Sequence, residues 1–266
     1  MNHRPLQMMI VSLFIVASQV AAAASQEKCT YLHRSRGADL RAVDVAVTST
    51  PAGETQYVID EFIGKGIGNT VTLTADKDGK PVKYESVSAG GYEARFTFSS
   101  TNVVYAQKTP GHGDTKNTWP IEPGALPDFN SRPDPYLIEH VLLQAYDFDK
   151  KGKQLLHVYD IDDTGKGISN YQLSLELVDD GSVALPTGRF KAKHLVQVQQ
   201  SSVPTWFKKH RGSQTDVWVD DDGTILRIYR HREPYEVILQ NYAGIQNRIS
   251  ETETAQGISQ PPCFAP

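Results

Sequence analysis

From residue 42 to residue 105 apolar and polar residues alternate in short runs: VDVAVTST, TQYVIDEFIG, TVTLTAD, PVKYESVS, EARFTFSS and NVVYAQ. Pro, Gly or Asp-Gly separates them every eight to twelve residues. A period of two, punctuated in this way, predicts antiparallel strands joined by short turns. The clearest unit is 215–242, TDVWVDDDGTILRIYRHREPYEVILQNY: Val217 and Val219 alternate with Trp218 and Asp220, and Gly223 after Asp222 supplies the positive φ of a tight hairpin. TVTLTADKDGKPVKYES has the same layout, which fits either a distant internal repeat or two hairpins converging on one turn chemistry.

The pattern changes at 107–133, where TPGHGDTKNTWPIEPGALPDFNSRP carries five prolines and no sustained period, predicting a long surface loop. Asp134 and Pro135 then form an N-cap and first-turn pair. Leu137, Ile138, Val141, Leu142 and Ala145 recur at helical spacing, so 135–146 is expected to be one amphipathic helix with its stripe laid on the sheet. QLLHVYDID, ISNYQLSLELV, a turn at Asp180 and Gly181, VALPTGRF and KAKHLVQVQQ continue the strand pattern. The expectation is an all-β fold with one helix: an antiparallel, strongly curved sheet or open half-barrel with the helix packed on it.

Ahead of this lies a different kind of segment. Arg4, an apolar run from Met8 to Val20 and four alanines ending at Ala24 match the charged, apolar and small-residue parts of a secretory signal peptide. The run is shorter than the roughly 20 residues of a membrane span. The expected layout is a signal peptide at 1–24, an N-terminal segment at 25–41, a single β domain at 42–242 and a tail at 243–266, the mature protein being soluble and periplasmic or secreted. Losing 1–24 removes one cation and no acid, leaving 26 basic against 31 acidic residues and a net charge of −5. That balance argues against nucleic acid as a partner. The two cysteines, Cys29 and Cys263, stand near either end of the exported chain, where an oxidising compartment lets them pair.

The order of helix DPYLIEHVLLQAY, strand HVYDID, strands around GRFKAKHLVQV and the VWVDDDG hairpin resembles the exported bacterial domain of unknown function 3108. It is remotely similar to the lipoprotein-carrier half-barrels. The resemblance runs over about 40–242, is most specific at 134–239, and implies an open barrel with a concave, partly apolar face. It brings no catalytic residues with it.

Candidate chemistry is sparse. Asp160, Asp162, Thr164 and Gly165 begin like a calcium loop, but Tyr171 stands where the closing bidentate Glu belongs. No His-x-His or His-x-x-x-His pair occurs, so neither a metal nor another cofactor is expected. His112 and Asp114 sit two residues apart in the Gly-rich loop, and with His140, His157 and Tyr159 they are the acid/base candidates. No Gly-x-Ser-x-Gly elbow is present. Trp206, Trp218, Arg227, Tyr229, Arg230 and Tyr235 interleave aromatic and cationic groups, suiting an anionic or amphiphilic ligand if they share a face. Otherwise they are solvated strand edges. The first functional expectation is a non-enzymatic binding protein that holds an apolar or amphiphilic envelope molecule on its concave face. The alternative is an exported hydrolase, lyase or isomerase using the acid/base candidates in the same cavity. A membrane surface as partner and the oligomeric state stay open.

Overall fold

The computed structural model describes residues 27–50, 52–63, 66–128, 135–150, 152–161, 167–200, 214–231 and 234–242. Eight strands come first: β1 (Glu27–Ser35), β2 (Ala38–Ser49), β3 (Thr55–Ile63), β4 (Gly66–Ala75), β5 (Pro81–Ser88), β6 (Glu93–Phe98), β7 (Asn102–Lys108) and β8 (Thr115–Pro120). The short β9 (Leu126–Asp128) leads to α1 (Pro135–Ala145). Then follow β10 (Lys153–Ile161), β11 (Ile168–Leu185), β12 (Gly188–Gln200), β13 (Gln214–Val219), β14 (Ile225–Arg230) and β15 (Tyr235–Tyr242).

All fifteen strands form one sheet, in the order β8-β7-β6-β5-β4-β3-β2-β1-β15-β14-β13-β12-β11-β10-β9. The first and last strands pair with each other at its centre, Tyr31 opposite Leu239 and His33 opposite Val237. From β8 through to β10 every pairing is antiparallel, whereas β9 adds to the edge parallel to β10. A parallel neighbour needs a crossover, and α1 supplies it. The fold is therefore nearly all-β with a large open sheet and, among the described residues, one helix.

Alternation sorts the side chains. Cys29, Tyr31, Val43, Val45, Tyr57, Ile59, Val71, Leu73, Tyr84 and Phe96 are buried on one face, and most of their strand neighbours are polar. The sheet curls until this face closes around α1. The helix touches both arms: the His140 ring lies 4.5 Å from that of Tyr57 on β3, while the Tyr146 hydroxyl accepts the Leu177 N–H of β11 at 3.1 Å. Five consecutive helical residues, Glu139 to Leu143, are buried, which covers more than a full turn. The one-sided stripe expected from the sequence is thus corrected. The buried surface is wider than one stripe and takes in polar Glu139 and His140, while Gln144 and Ala145 at the end of the helix stay exposed.

Three other expectations change. The segment 25–41 contains β1, a central strand, because the chain's start closes the sheet against its end. The expected loop 107–133 contains β8, paired along its length with β7, and β9. Asp180-Gly181 is no turn: β11 continues to Leu185 with only a register shift between Leu177 and Asp179, and the reversal comes before Gly188. The hairpin of β13 and β14 forms as the sequence predicts, and it shares its turn chemistry with the hairpin of β4 and β5. Asp220 Oδ1 accepts the N–H groups of Asp222 and Thr224 at 3.0 and 2.8 Å, as Asp76 Oδ1 accepts those of Asp78 and Lys80, both at 2.9 Å. Gly223 and Gly79 provide the positive φ that each turn requires.

Candidate functional site

One mouth of the curled sheet carries inward-facing polar residues on strand after strand. Gln197 of β12 stands opposite Thr215 of β13, Thr215 opposite Arg230 of β14, and Arg230 opposite Tyr235 of β15. Across the central pairing the row continues with His33 of β1 opposite Arg41 of β2, followed by Glu61 of β3. Helix α1 brings Glu139 to the same end, and β9 ends there with Asp128. Each position follows from period-two alternation near the end of a strand. Val43, Val45, Ile228, Val237 and Leu239 occupy the inward positions deeper in the curled sheet.

The row has two joined parts. His33 is wholly buried, and Arg41 Nε donates to its Nδ1 at 3.2 Å. That makes Nδ1 an acceptor, so the Tyr235 hydroxyl, which meets the same nitrogen, donates as well. Arg41 also forms an ion pair with Glu61. Burial, with Arg41 and Arg230 nearby, lowers the His33 pKa to about 3, so the ring is neutral at every physiological pH. In the other part Glu139 is 1% exposed, and the Gln197 amide nitrogen lies 2.6 and 3.1 Å from its two carboxyl oxygens. Burial raises its pKa to about 8, Arg230 opposes the rise and Asp128 adds to it. Next to it, burial lowers His140 to about 4. At neutral pH this mouth therefore combines the proton-bearing carboxyl of Glu139, the neutral imidazole of His33, the Tyr235 phenol and two guanidiniums with the carboxyl groups of Glu61 and Asp128. Together they offer hydrogen-bond donors to a polar or anionic group.

Of the residues singled out in the sequence, Arg230 and Tyr235 belong to this row. Trp218, Arg227 and Tyr229 do not, because their parity places them on the outer face. There the Trp218 ring stacks on His194 at 4.6 Å, Arg227 lies 5.1 Å over it and pairs with Glu236, and Tyr229 packs edge-on against His231 at 4.9 Å. The shared basic, aromatic face is thus corrected to two faces: one residue in two along a strand points each way. Trp206 and Cys263 lie outside the described residues; Cys29 is buried in β1 with its backbone opposite Tyr242.

The acid/base candidates do not converge. His112 and Asp114 are exposed between β7 and β8, Asp114 on the rim of a surface groove of about 310 Å³. His157 points outward from β10 with its Nδ1 3.3 Å from Glu122. His140 is inside on α1 against Tyr57, and Tyr159 is buried on β10, where burial raises its pKa. Among the described residues no group of three His, Cys, Asp or Glu is placed to hold a metal ion. No helix among them is long and apolar enough to cross a membrane.

Sequence reading missed His33, Arg41, Glu61, Glu139 and Gln197. A signal for three of them was there: Glu61 shares the parity of Tyr57 and Ile59, and His33 and Arg41 flank Arg36-Gly37, whose positive φ values make a tight hairpin turn. Which strands lie side by side decides that these form one row, and local pattern does not carry it.

No family model matches the chain, and no curated protein matches it. The resemblance to family 3108 and to lipoprotein carriers gains no support from either. Among solved structures, a beta-barrel-like protein of domain of unknown function DUF1849 from Brucella abortus aligns with 9% identity and a TM-score of 0.48. The alignment covers 82% of this chain and 97% of that one. No inference about the site rests on that likeness.

Proposed function

We propose that this is an exported binding protein that holds a small amphiphilic molecule at the polar mouth. The polar group would sit against Tyr235, Arg41 and Arg230. The observation that supports this reading is the convergence of Glu61, Arg41, His33, Tyr235, Arg230, Gln197 and Glu139, from six strands and the helix, on one end of an otherwise apolar interior. Buried ionisable groups are costly, and they concentrate where a site needs them. The expected place on the concave face narrows to this mouth, because core side chains and α1 fill the rest. The scatter of His112, Asp114, His140 and His157 over separate faces favours binding over acid–base catalysis by those groups.

Native mass spectrometry of mature protein purified from cells that make it is expected to show a bound small molecule. Arg230→Gln should weaken its retention by about tenfold, the value of one charge-assisted hydrogen bond. Protein that is always empty, and whose melting temperature no lipid or fatty acid shifts, would sink the proposal.

Export through 1–24 and a Cys29–Cys263 bond belong to the same proposal. Burial of Cys29 beside the end of β15 supports the bond, since the chain leaves β15 next to it. Thiol titration of denatured mature protein is expected to detect no thiol without reductant and both cysteines after reduction. Two thiols in protein kept oxidised would refute the bond.

A further inference from the structure

Among the described residues the sheet ends at β8 on one side and at β9, with the part of β10 that β9 leaves uncovered, on the other. On β8, Lys116 and Pro120 blunt the edge, charge and a missing N–H being common ways to stop a strand from recruiting another. At the other end β9 covers only Val158, Tyr159 and Asp160 of β10. Lys153 to His157 are fully paired with β11 on one side and have no strand neighbour on the other among the described residues. Alternate N–H and C=O groups of this stretch consequently point away from β11 with no strand of the described residues opposite them. The side chain of Leu155 is 56% exposed on the same stretch.

A groove of about 400 Å³ runs beside this edge, lined by Glu122, Leu126, Ala145, Leu155, Leu156 and His157. A second, of about 230 Å³, adjoins it past His157 and Glu122. We propose that the bare edge of β10 is a docking slot for one extended peptide segment of a partner protein. The segment pairs along Lys153 to His157 as an extension of β9, in the manner of strand addition. Main-chain groups are what the edge leaves unmatched, and a peptide backbone satisfies them where an acyl chain has nothing to donate or accept. Five strand residues span roughly 16 Å, so a short motif suffices. An apolar side chain of the motif covers Leu155. A basic one meets Glu122, whose side chain is 61% exposed.

The test uses mature full-length protein and a phage-displayed library of random eight-residue peptides, with Leu155→Lys as the counter-selected variant. Leu155 is on the surface, so the variant keeps its fold, which its melting temperature checks. The expected result is enrichment of alternating β-branched peptides carrying a Lys or Arg, binding the variant about tenfold more weakly. With an enriched peptide bound, amide hydrogen exchange at Lys153 to His157 should slow, and N-methylation of alternate amides in that peptide should abolish binding. Enrichment of no peptide that distinguishes the variant overturns the proposal. So does an N-methylated peptide that binds equally well. Dimer formation through β10, abolished by Leu155→Lys, would also overturn it by giving the edge to a second copy.

Discussion

Arg41→Leu is expected to destabilise the fold by about 3 kcal/mol, the lower end of the cost of breaking a buried ion pair. Glu61 is the reason. Its side chain is 5% exposed, and Arg41 is the cation paired with it. Removing the guanidinium leaves a carboxyl that must stay charged without that partner or take up a proton. Arg41 keeps 24% of its side chain open to water, which holds the cost below that of a fully enclosed pair. The double variant Arg41→Leu, Glu61→Leu should recover most of the loss, because an apolar pair of similar volume carries no desolvation penalty. Urea unfolding of the wild type, both single variants and the double variant gives the coupling directly. A single-variant loss below about 1 kcal/mol would place the pair in the surface class and remove it from the buried row.

Stability is expected to peak near pH 6.5 and to fall on both sides, through three groups on or around α1 and β1. Glu139 has a folded pKa of about 8 against 4.5 for the ordinary side chain. Between those values the unfolded chain has lost a proton that the folded chain retains. Stability therefore declines as pH rises, by about 1.4 kcal/mol per pH unit. His33 and His140, at about 3 and about 4 in the folded state against 6.5, act in the opposite direction. Below pH 6.5 the unfolded chain gains protons that the folded chain refuses, and each histidine removes about 1.4 kcal/mol per unit as pH falls. From pH 6.5 to 4.5 the two histidines outweigh the one carboxyl. Below pH 4.5 they act unopposed. From 6.5 to 8, Glu139 alone lowers stability by roughly 2 kcal/mol. Glu139→Gln should flatten that alkaline limb and raise stability at pH 8, since an amide in its place bonds Gln197 without holding a proton. Thermal melts of both proteins from pH 4 to 9 read the difference. An unchanged alkaline limb in the variant would show that Glu139 is already ionised in the folded protein.

The two expectations concern residues that were hard to pick out along the chain. Glu61 was legible as an inward position, in phase with Tyr57 and Ile59, but its cation lies twenty residues earlier, on the preceding strand. Glu139 was hidden for a different reason. On a helix read as amphipathic it falls beside the apolar stripe, where an acid is ordinarily solvated. Only closure of both arms around α1 buries it. The outer cluster failed in a third way, because Arg227 and Arg230 are three residues apart and strand parity sends them to opposite faces.

The sequence by itself determined what depends on neighbours within a few residues. The alternation that makes strands, the Asp-Gly turns at Asp76 and Asp220, the start of α1 at Pro135 and the acidic balance are all of this kind. The tertiary structure alone decided that β1 closes against β15, that β8 and β9 pair within the expected loop, and that both arms of the sheet pack on α1. It also brought His33, Arg41, Glu61, Arg230, Tyr235 and Glu139 to one mouth. The physical reason is that backbone geometry and turn chemistry are local, whereas the pairing of β1 with β15 joins residues about two hundred positions apart. Burying one whole face of the sheet selects that pairing, and a single stretch of chain contains no trace of it.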